Sequence, residues 1–204
     1  MQIVKTPKFL QSLVPSLIWK KKNFEKEIYL TFDDSPTPKF TYWILNLLNT
    51  LNIKATFFCV GESAEKHPKI IDAILNNGHQ IGNHTYSHMN GFLCCKKTYF
   101  KDIGKCKNVL PNTDLFRPPF GKIYPWQISK IKEKYKIIMW EVLSYDFTKN
   151  ISAKKLKRNI LKNTKSGSII VFHDNKKSEK ILKENLEEIL KTLLKTGFKF
   201  GTIL

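Results

Sequence analysis

Apolar runs alternate with segments of helical period along most of the chain. Strands are predicted where the runs are short and rich in β-branched or aromatic residues, at residues 28–32, 54–60, 80–82, 115–116, 136–140, 168–172 and 198–200. Helices are predicted where apolar residues recur every three or four positions, at residues 40–51, 67–77, 98–110, 126–134, 153–163 and 179–194. Strands that alternate with helices are typical of parallel βα units. The pattern therefore predicts an α/β fold, a distorted (β/α) barrel with about seven parallel strands.

The first residues do not follow this alternation. Residues 1–25 are predicted to form a short N-terminal extension, and residues 26–204 a single domain with one core. The apolar stretch at residues 9–19 is interrupted by Gln11, Ser12 and Pro15, and three lysines follow it. A signal peptide would have positive charge first, and a membrane span needs about 18 apolar residues. We expect neither, and we expect a cytoplasmic or membrane-surface location in which the extension packs on the domain or contacts a membrane peripherally.

The charge of the chain raises the question of an anionic partner. The formal net charge is +18, from 35 Lys and Arg against 17 Asp and Glu. However, the arginines are only Arg117 and Arg158, and the lysines are scattered along the chain. Nucleic-acid readers usually cluster their basic residues and use the planar guanidinium of arginine. We expect no specific nucleic-acid partner and a monomeric protein, with a salt-dependent nucleic-acid binder kept as an alternative.

Two adjacent carboxylates end the first predicted strand. Asp33 and Asp34 follow the apolar run directly, and Ser35-Pro36 then stops the extended segment. Neighbouring carboxylates repel one another, and burial adds to that cost. A cation or a reaction that uses the pair would explain it, although Asp, Ser and Pro also form ordinary turns.

Two histidines offer further metal ligands. His84 and His88 are four residues apart, and on one helical turn they would face the same side. With one oxygen from the Asp pair they form a His-His-Asp set with open positions, which suits a catalytic zinc or a similar divalent ion. Surface histidines are the alternative interpretation.

Polar residues recur after the predicted strands, at Asp33-Asp34, His84–His88, Arg117, Asp146 and His173-Asp174. In a βα barrel the carboxyl ends of the strands share one face, where active sites lie. Arg117 begins a rigid loop that continues Pro118-Pro119-Phe120-Gly121, and its fork is suited to holding a carboxylate. His173 is suited to general acid or base catalysis, although it could also be a hydrogen-bonded core residue.

Together these segments resemble the polysaccharide deacetylases of carbohydrate esterase family 4, the NodB-homology domain. Residues 31–36 are similar to the family's T-F-D-D-G-P, residues 84–88 to H-[ST]-x-x-H, residues 117–121 to R-P-P-[YF]-G and residues 171–174 to L-x-H-D. The order and spacing match from about residue 28 to the end of the chain.

The resemblance implies a role for each of these residues. Asp34, His84 and His88 would hold a divalent metal, zinc in the first place and cobalt, nickel or manganese as alternatives. Asp33 would be the base that deprotonates a metal-bound water, held by Arg117, and His173 would protonate the leaving amine. A backbone N–H near Phe120 would complete the oxyanion site.

The chain also departs from the family pattern. Ser35 replaces a glycine, and residues 140–147 differ from W-x-x-D-x-x-D-W by Leu143 and Phe147 in place of Asp and Trp. Asp146 is retained as the partner that would tune His173, and Phe147 and Val171 would line the pocket for the acetyl methyl group.

The function expected from this resemblance is metal-dependent hydrolysis of a non-peptide C–N bond. The enzyme would remove N-acetyl groups from N-acetylglucosamine-type glycans, in peptidoglycan or another cell-surface polysaccharide. The alternatives are hydrolysis of another amide or an ester at the same metal site, and a non-catalytic glycan-binding relic.

Overall fold

The computed structural model describes residues 3–22 and 25–203. Its strands are β1 (Glu27–Ser35), β2 (Thr56–Cys59), β3 (Gln80–Asn83), β4 (Leu115–Phe116), β5 (Lys136–Ile137), β6 (Val142–Leu143), β7 (Ile169–His173) and β8 (Lys199–Gly201). Its helices are α1 (Lys8–Leu13), α2 (Phe40–Thr50), α3 (Gly61–Lys66), α4 (Pro68–Asn76), α5 (Lys96–Val109), α6 (Pro125–Ile131), α7 (Ala153–Leu161) and α8 (Lys176–Lys195), with a 3-10 turn at Pro119–Gly121.

Seven strands form one curled path in the order β5-β4-β3-β2-β1-β7-β6, and β8 pairs with the beginning of β1. The strand pairings are parallel, for example between Thr31 and Thr56 and between Asp33 and His173. The sheet curls into a half-barrel, and the predicted α/β fold with about seven parallel strands is confirmed.

The alternation of side chains along β1 separates the helix-covered face of the sheet from its interior. Ile28, Leu30 and Phe32 pack in the core cluster with the helices, whereas Tyr29 packs in a cluster on the opposite face. Helix α8 contributes a buried stripe at helical spacing, formed by Leu182, Leu186, Ile189, Leu190 and Leu193. The same alternation directs Thr31 and Asp33 to the interior of the half-barrel.

The predicted helical turn at His84–His88 is wrong. The segment after β3 is a loop in which Thr85 and His88 have φ values of 62° and 55°, outside the right-handed helical region. Local side-chain bonds replace helical ones: the N–H of Thr85 donates to Asn83 Oδ1 at 2.9 Å, and the N–H of Tyr86 donates to Asp102 Oδ2 at 2.9 Å.

The strand predicted at residues 136–140 is shorter in the structure. β5 ends at Ile137, and the chain crosses to form β6 beside β7. The first residues of the chain contact both of these edges: Ile18 bridges to Ile138 after β5, and Lys5 bridges to Val142 in β6. Gly167 (φ 82°) is required where this segment passes, because a Cβ there would lie 2.0 Å from the carbonyl oxygen of Lys21.

Arg117 links these parts across the interior. Its side chain is 0% exposed, and it donates from Nη1 to Thr31 Oγ1 (2.7 Å) and to Asp33 Oδ1 (2.6 Å). Nε donates to the carbonyl of Ile138 at 3.1 Å and Nη2 to that of Met139 at 2.9 Å, while the guanidinium lies 4.0 Å from the centre of the Phe58 ring. A planar fork with several donors satisfies this arrangement, and a single ammonium group would not.

We expect Arg117→Lys to lower the free energy of unfolding by about 3 kcal/mol, because it leaves Asp33 and two carbonyls short of donors in the interior. Urea denaturation measures the change. Arg158→Lys is the matched control: Arg158 is the chain's other arginine, is exposed, and should change stability by no more than about 0.5 kcal/mol. Equal stability losses in the two variants would contradict the structural role of Arg117.

Candidate active site

The predicted site residues meet at the carboxyl ends of the strands. Asp33 and Asp34 end β1, His84 follows β3 and His173 ends β7. They line one pocket of about 300 Å³, whose wall is formed by Asp33, Asp34, His84, His88, Phe120, Trp140, Leu143, Phe147, Val171, His173, Asn175 and Lys177. The two remaining predicted residues, Arg117 and Asp146, are fully buried behind this wall and contact Asp33 and His173.

Asp34, His84 and His88 form a cluster of the kind that binds a metal ion. Their ligand atoms lie within 4.8 Å of one another, with Asp34 Oδ1 3.0 Å from His88 Nε2 and 3.7 Å from His84 Nε2. His84 Nδ1 lies 2.7 Å from the carbonyl oxygen of Arg117, so this nitrogen carries the proton and Nε2 keeps its lone pair. Among the residues the structure describes, Asp34 Oδ1 is shielded from solvent and makes no hydrogen bond of good geometry, although the two imidazole nitrogens approach it. Two imidazole nitrogens and an unsatisfied carboxylate oxygen fit a divalent cation.

The electrostatics of the cluster favour the protonation states that a cation requires. Burial lowers the pKa of His84 to about 4, so its imidazole is neutral near pH 7. Burial alone would raise the pKa of Asp34, but its contact with His88 and the nearby His84 and His173 lower it overall. Asp34 is therefore ionised at neutral pH.

Asp33 is held apart from this cluster. Its Oδ1 accepts the 2.6 Å hydrogen bond from Arg117 Nη1, and it is not a member of the metal-ligand group although it lines the same pocket. The two adjacent acids thus have different partners, because Asp33 continues the interior face of β1 while Asp34 has a left-handed φ of 69°.

His173 is paired with Asp146 on the other side of the pocket. His173 Nδ1 lies 2.8 Å from Asp146 Oδ1, and the His173 backbone N–H donates to Asp146 Oδ2 at 2.8 Å. Ser144 Oγ also donates to Asp146 Oδ1, at 2.6 Å. Burial would lower the pKa of His173, but the charge and hydrogen bond of Asp146, with Asp33 and Asp34, raise it to about 9. His173 is therefore a cation at neutral pH, and its Nε2 proton is not used by Asp146.

Apolar side chains complete the pocket. The ring of Phe147 lies edge-on to His173 with centroids 4.6 Å apart, and Val171 and Leu143 lie beside it. Phe120 (φ 60°) contacts His88 at 4.7 Å on the opposite side. The pocket residues predicted from the sequence therefore do line the cavity.

Asn175 was not predicted from the sequence. Its Nδ2 donates to Asp34 Oδ2 at 2.7 Å, while its Oδ1 accepts from the N–H groups of Lys177 and Ser178 at the start of α8. An Asn before an amphipathic helix indicates an N-cap, so the bonds to Lys177 and Ser178 could be expected from the sequence. The bond to Asp34 depends on the tertiary fold. Trp140 and Lys177 were also missed as pocket residues.

Comparisons with known proteins identify the family of the chain. The family profile described as polysaccharide deacetylase matches residues 20–138. Two Bacillus cereus proteins named peptidoglycan-N-acetylglucosamine deacetylase are similar to the chain. One is 38% identical over 87% of this chain and 66% of its own length, and the other is 32% identical over 91% and 90%. The chain thus spans just under two thirds of the first relative.

Solved structures share the fold. A crystal structure of a peptidoglycan N-acetylglucosamine deacetylase superposes with a TM-score of 0.89 at 35% identity, covering 97% of this chain and 95% of that one. A carbohydrate esterase family 4 pseudoenzyme from Bacillus anthracis has a TM-score of 0.82 at 23% identity, covering 95% of this chain and 69% of that one, which shows the fold alone. The two Bacillus cereus relatives are named for hydrolysis of a carbon–nitrogen bond that is not a peptide bond. The chain belongs to the polysaccharide deacetylase family.

Proposed function

We propose that the protein is a metal-dependent N-deacetylase of glycans that contain N-acetylglucosamine, with peptidoglycan as the substrate. One observation carries the proposal: the unsatisfied Asp34 Oδ1 lies between two imidazole nitrogens, in the same pocket as an Asp33 carboxylate that is held separately by Arg117. The names of the relatives support the choice of substrate.

Asp34, His84 and His88 would hold the metal. Two nitrogens and one oxygen suit zinc, with cobalt, nickel or manganese as alternatives. When bound, such an ion polarises a carbonyl and lowers the pKa of water.

The other residues would move protons. Asp33 would accept the proton of the attacking water, with Arg117 keeping its carboxylate in position. As the C–N bond breaks, His173 would donate its Nε2 proton to the leaving amine, and Asp146 would hold the ring through Nδ1. The products are acetate and a free amino sugar.

The apolar wall would receive the acetyl group. Phe147 and Val171 would contact its methyl, with Leu143 beside them, and Phe120 would cover the histidine side. Because Leu143 stands where the family pattern has an Asp, hydrolysis of a different amide or of an ester remains the second candidate. A non-catalytic glycan binder is the third, because the fold is shared with a pseudoenzyme.

The surroundings of the enzyme are still predictions from the sequence. These are a cytoplasmic or membrane-surface location, a monomer, peripheral membrane contact and no specific nucleic-acid partner. In residues 3–22 and 25–203, none of the helices has the length and apolar character needed to span a bilayer.

Removal of the metal or of Asp33 should abolish acetate release from peptidoglycan and N-acetylglucosamine oligomers. Chelation should remove the activity and zinc or cobalt should restore it, while Asp33→Asn should lower kcat by about 100-fold or more through loss of the general base. Asp72→Asn, an exposed carboxylate on α4, is the control and should be fully active. Acetate release that persists despite both the chelator and Asp33→Asn would contradict the mechanism. If the protein releases no acetate from any glycan, the glycan-binding alternative is favoured.

The pH profile should show the His173 acid. An acid catalyst is active while protonated, so kcat should fall as pH rises through the pKa of His173, about 9. A bound metal cation repels the positive charge of protonated His173 and lowers its pKa. The fall of kcat on the alkaline side of the profile should therefore be centred at or below about pH 9. Asp146→Asn removes the charge that raises this pKa and should shift this alkaline limb to lower pH, as kcat measured from pH 5 to 10 would reveal. An alkaline limb at the same pH in both proteins would rule out this role for His173.

Asn175 should act as a positioning residue for the metal ligand Asp34. Asn175→Ser keeps an oxygen that can cap α8 but loses the amide that donates to Asp34 Oδ2, so zinc affinity should fall by about 10-fold to 100-fold. Competition with a chromophoric chelator measures this affinity without any turnover. Ser152→Ala, which removes the N-cap of α7, controls for loss of a cap and should leave zinc affinity unchanged. Equal zinc affinity in Asn175→Ser and the parent protein would contradict the proposal.

A further inference from the structure

A row of exposed aromatic rings leads away from the mouth of the pocket. It is built on two segments, the loop at residues 88–93 after β3 and residues 119–126 after β4, which end in the first turn of α6. At the pocket, His88 contacts Phe120. Four residues further along both segments, Phe92 contacts Tyr124, with centroids 4.4 Å apart. Tyr124 then stacks on Trp126 at 6.0 Å and 16°. Phe92, Tyr124 and Trp126 are called the aromatic ridge below.

Buried hydrogen bonds fix the two segments to each other. Gln127 is fully buried, and its Oε1 accepts the N–H of Tyr124 at 2.8 Å while its Nε2 donates to the carbonyl of Gly91 at 2.8 Å. Gly91 packs so closely that a Cβ there would lie 2.8 Å from the carbonyl oxygen of Lys122. The aromatic ridge is therefore preformed, which lowers the entropic cost of binding a ligand.

The rings of the ridge are only partly covered by the protein. Phe92, Tyr124 and Trp126 are 42%, 39% and 40% exposed. Packed groups of exposed aromatic residues mark binding surfaces, and Tyr and Trp in particular concentrate binding energy. None of these residues takes part in the reaction proposed above.

We propose that the aromatic ridge binds the sugar rings of the glycan chain beyond the unit that is deacetylated. This inference rests on the proposed function. A polymer with one unit in the pocket must continue across its rim. His88 and Phe120 line the pocket, and the same two chain segments carry the ridge four residues further along. A pyranose ring has apolar C–H faces, which would lie on the aromatic faces, and hydroxyl edges that stay hydrated.

The competing occupant is a membrane surface. Leu93 is 82% exposed beside Phe92, and Lys96 lies 5.8 Å from the centre of the Trp126 ring, so the surface combines apolar and cationic groups. The continuity with the pocket and the stacked arrangement of Tyr124 and Trp126 favour the glycan. Binding energy from remote sugar units would be used at the reacting unit, so long substrates should gain in kcat as well as in affinity.

Binding of short and long substrates by ridge variants tests the proposal. Phe92→Ala and Tyr124→Ala are made in an Asp33→Asn background, and binding of N-acetylglucosamine disaccharide, hexasaccharide and insoluble peptidoglycan is measured. Each variant should weaken binding of the hexasaccharide and of peptidoglycan by about tenfold while the disaccharide is unaffected. Tyr124→Phe keeps the ring and should bind as the parent does. Tyr42→Ala on α2 removes an equally exposed ring (43%) outside the ridge and is the matched control.

Several outcomes would overturn the ridge proposal. They are unchanged hexasaccharide binding in folded ridge variants, equal losses for short and long ligands, and equal losses in Tyr42→Ala. Ridge variants that lose binding to anionic phospholipid vesicles, but keep binding to peptidoglycan, would assign the surface to a membrane instead. Acetate release by the wild-type protein separates the two proposals. Ridge-dependent glycan binding without acetate release would refute the deacetylase and support the ridge, whereas acetate release with unchanged binding would refute the ridge alone.

Discussion

The ion pair between Arg117 and Asp33 is the interaction on which the rest of the site depends. A buried guanidinium is stable only if its donors are used, and here they reach β1 and the backbone that follows β5. The backbone carbonyl of the same residue contacts His84 Nδ1 and so leaves Nε2 facing Asp34. One residue therefore orients both the proposed base and a proposed metal ligand. The curvature of the half-barrel and the chemistry of the pocket are coupled, because a change in the sheet that moved Arg117 would change the partners of both Asp33 and His84.

Much of the fold follows from local sequence patterns, and the exceptions have physical causes. The central strands β1, β2 and β7 are nearly continuous apolar runs, as buried parallel strands require, and α8 has a clear helical stripe. The short strand β6 has only two residues, and its position beside β7 is determined by long-range pairing. The spacing of His84 and His88 correctly indicated that the residues lie together. The helical turn inferred from it was wrong, because Asn83 and Asp102 bond to the loop backbone and stabilise a non-helical path.

The site can likewise be predicted in part from local sequence, and in part it depends on the tertiary fold. The sequence identifies three kinds of site residue: adjacent carboxylates at a strand end, a lone arginine and a histidine at a strand tip. Burying such groups costs free energy unless they are paired, so each implies a partner. Which acid faces the histidines depends on the left-handed φ of Asp34, which no periodicity encodes. Asn175 shows the limit of sequence analysis most clearly. Its role as an N-cap can be inferred from its position before α8, but its amide reaches Asp34 only because β7 lies next to β1 in the sheet.

Strain and unsatisfied groups are the strongest argument that this pocket is functional. Asp34, His88 and Phe120 all have positive φ, each at a conformational cost of about 1–3 kcal/mol. Asp34 Oδ1 is in addition shielded from solvent without a hydrogen bond of good geometry among the described residues. The half-barrel does not by itself imply catalysis, since a family pseudoenzyme adopts the same fold. Three of the eight non-glycine residues with positive φ in the described part of the chain thus line one cavity, next to a cationic histidine and a carboxylate held in place by arginine. A bound cation and a reaction would give a reason to retain these costs in the pocket, whereas stability alone gives none.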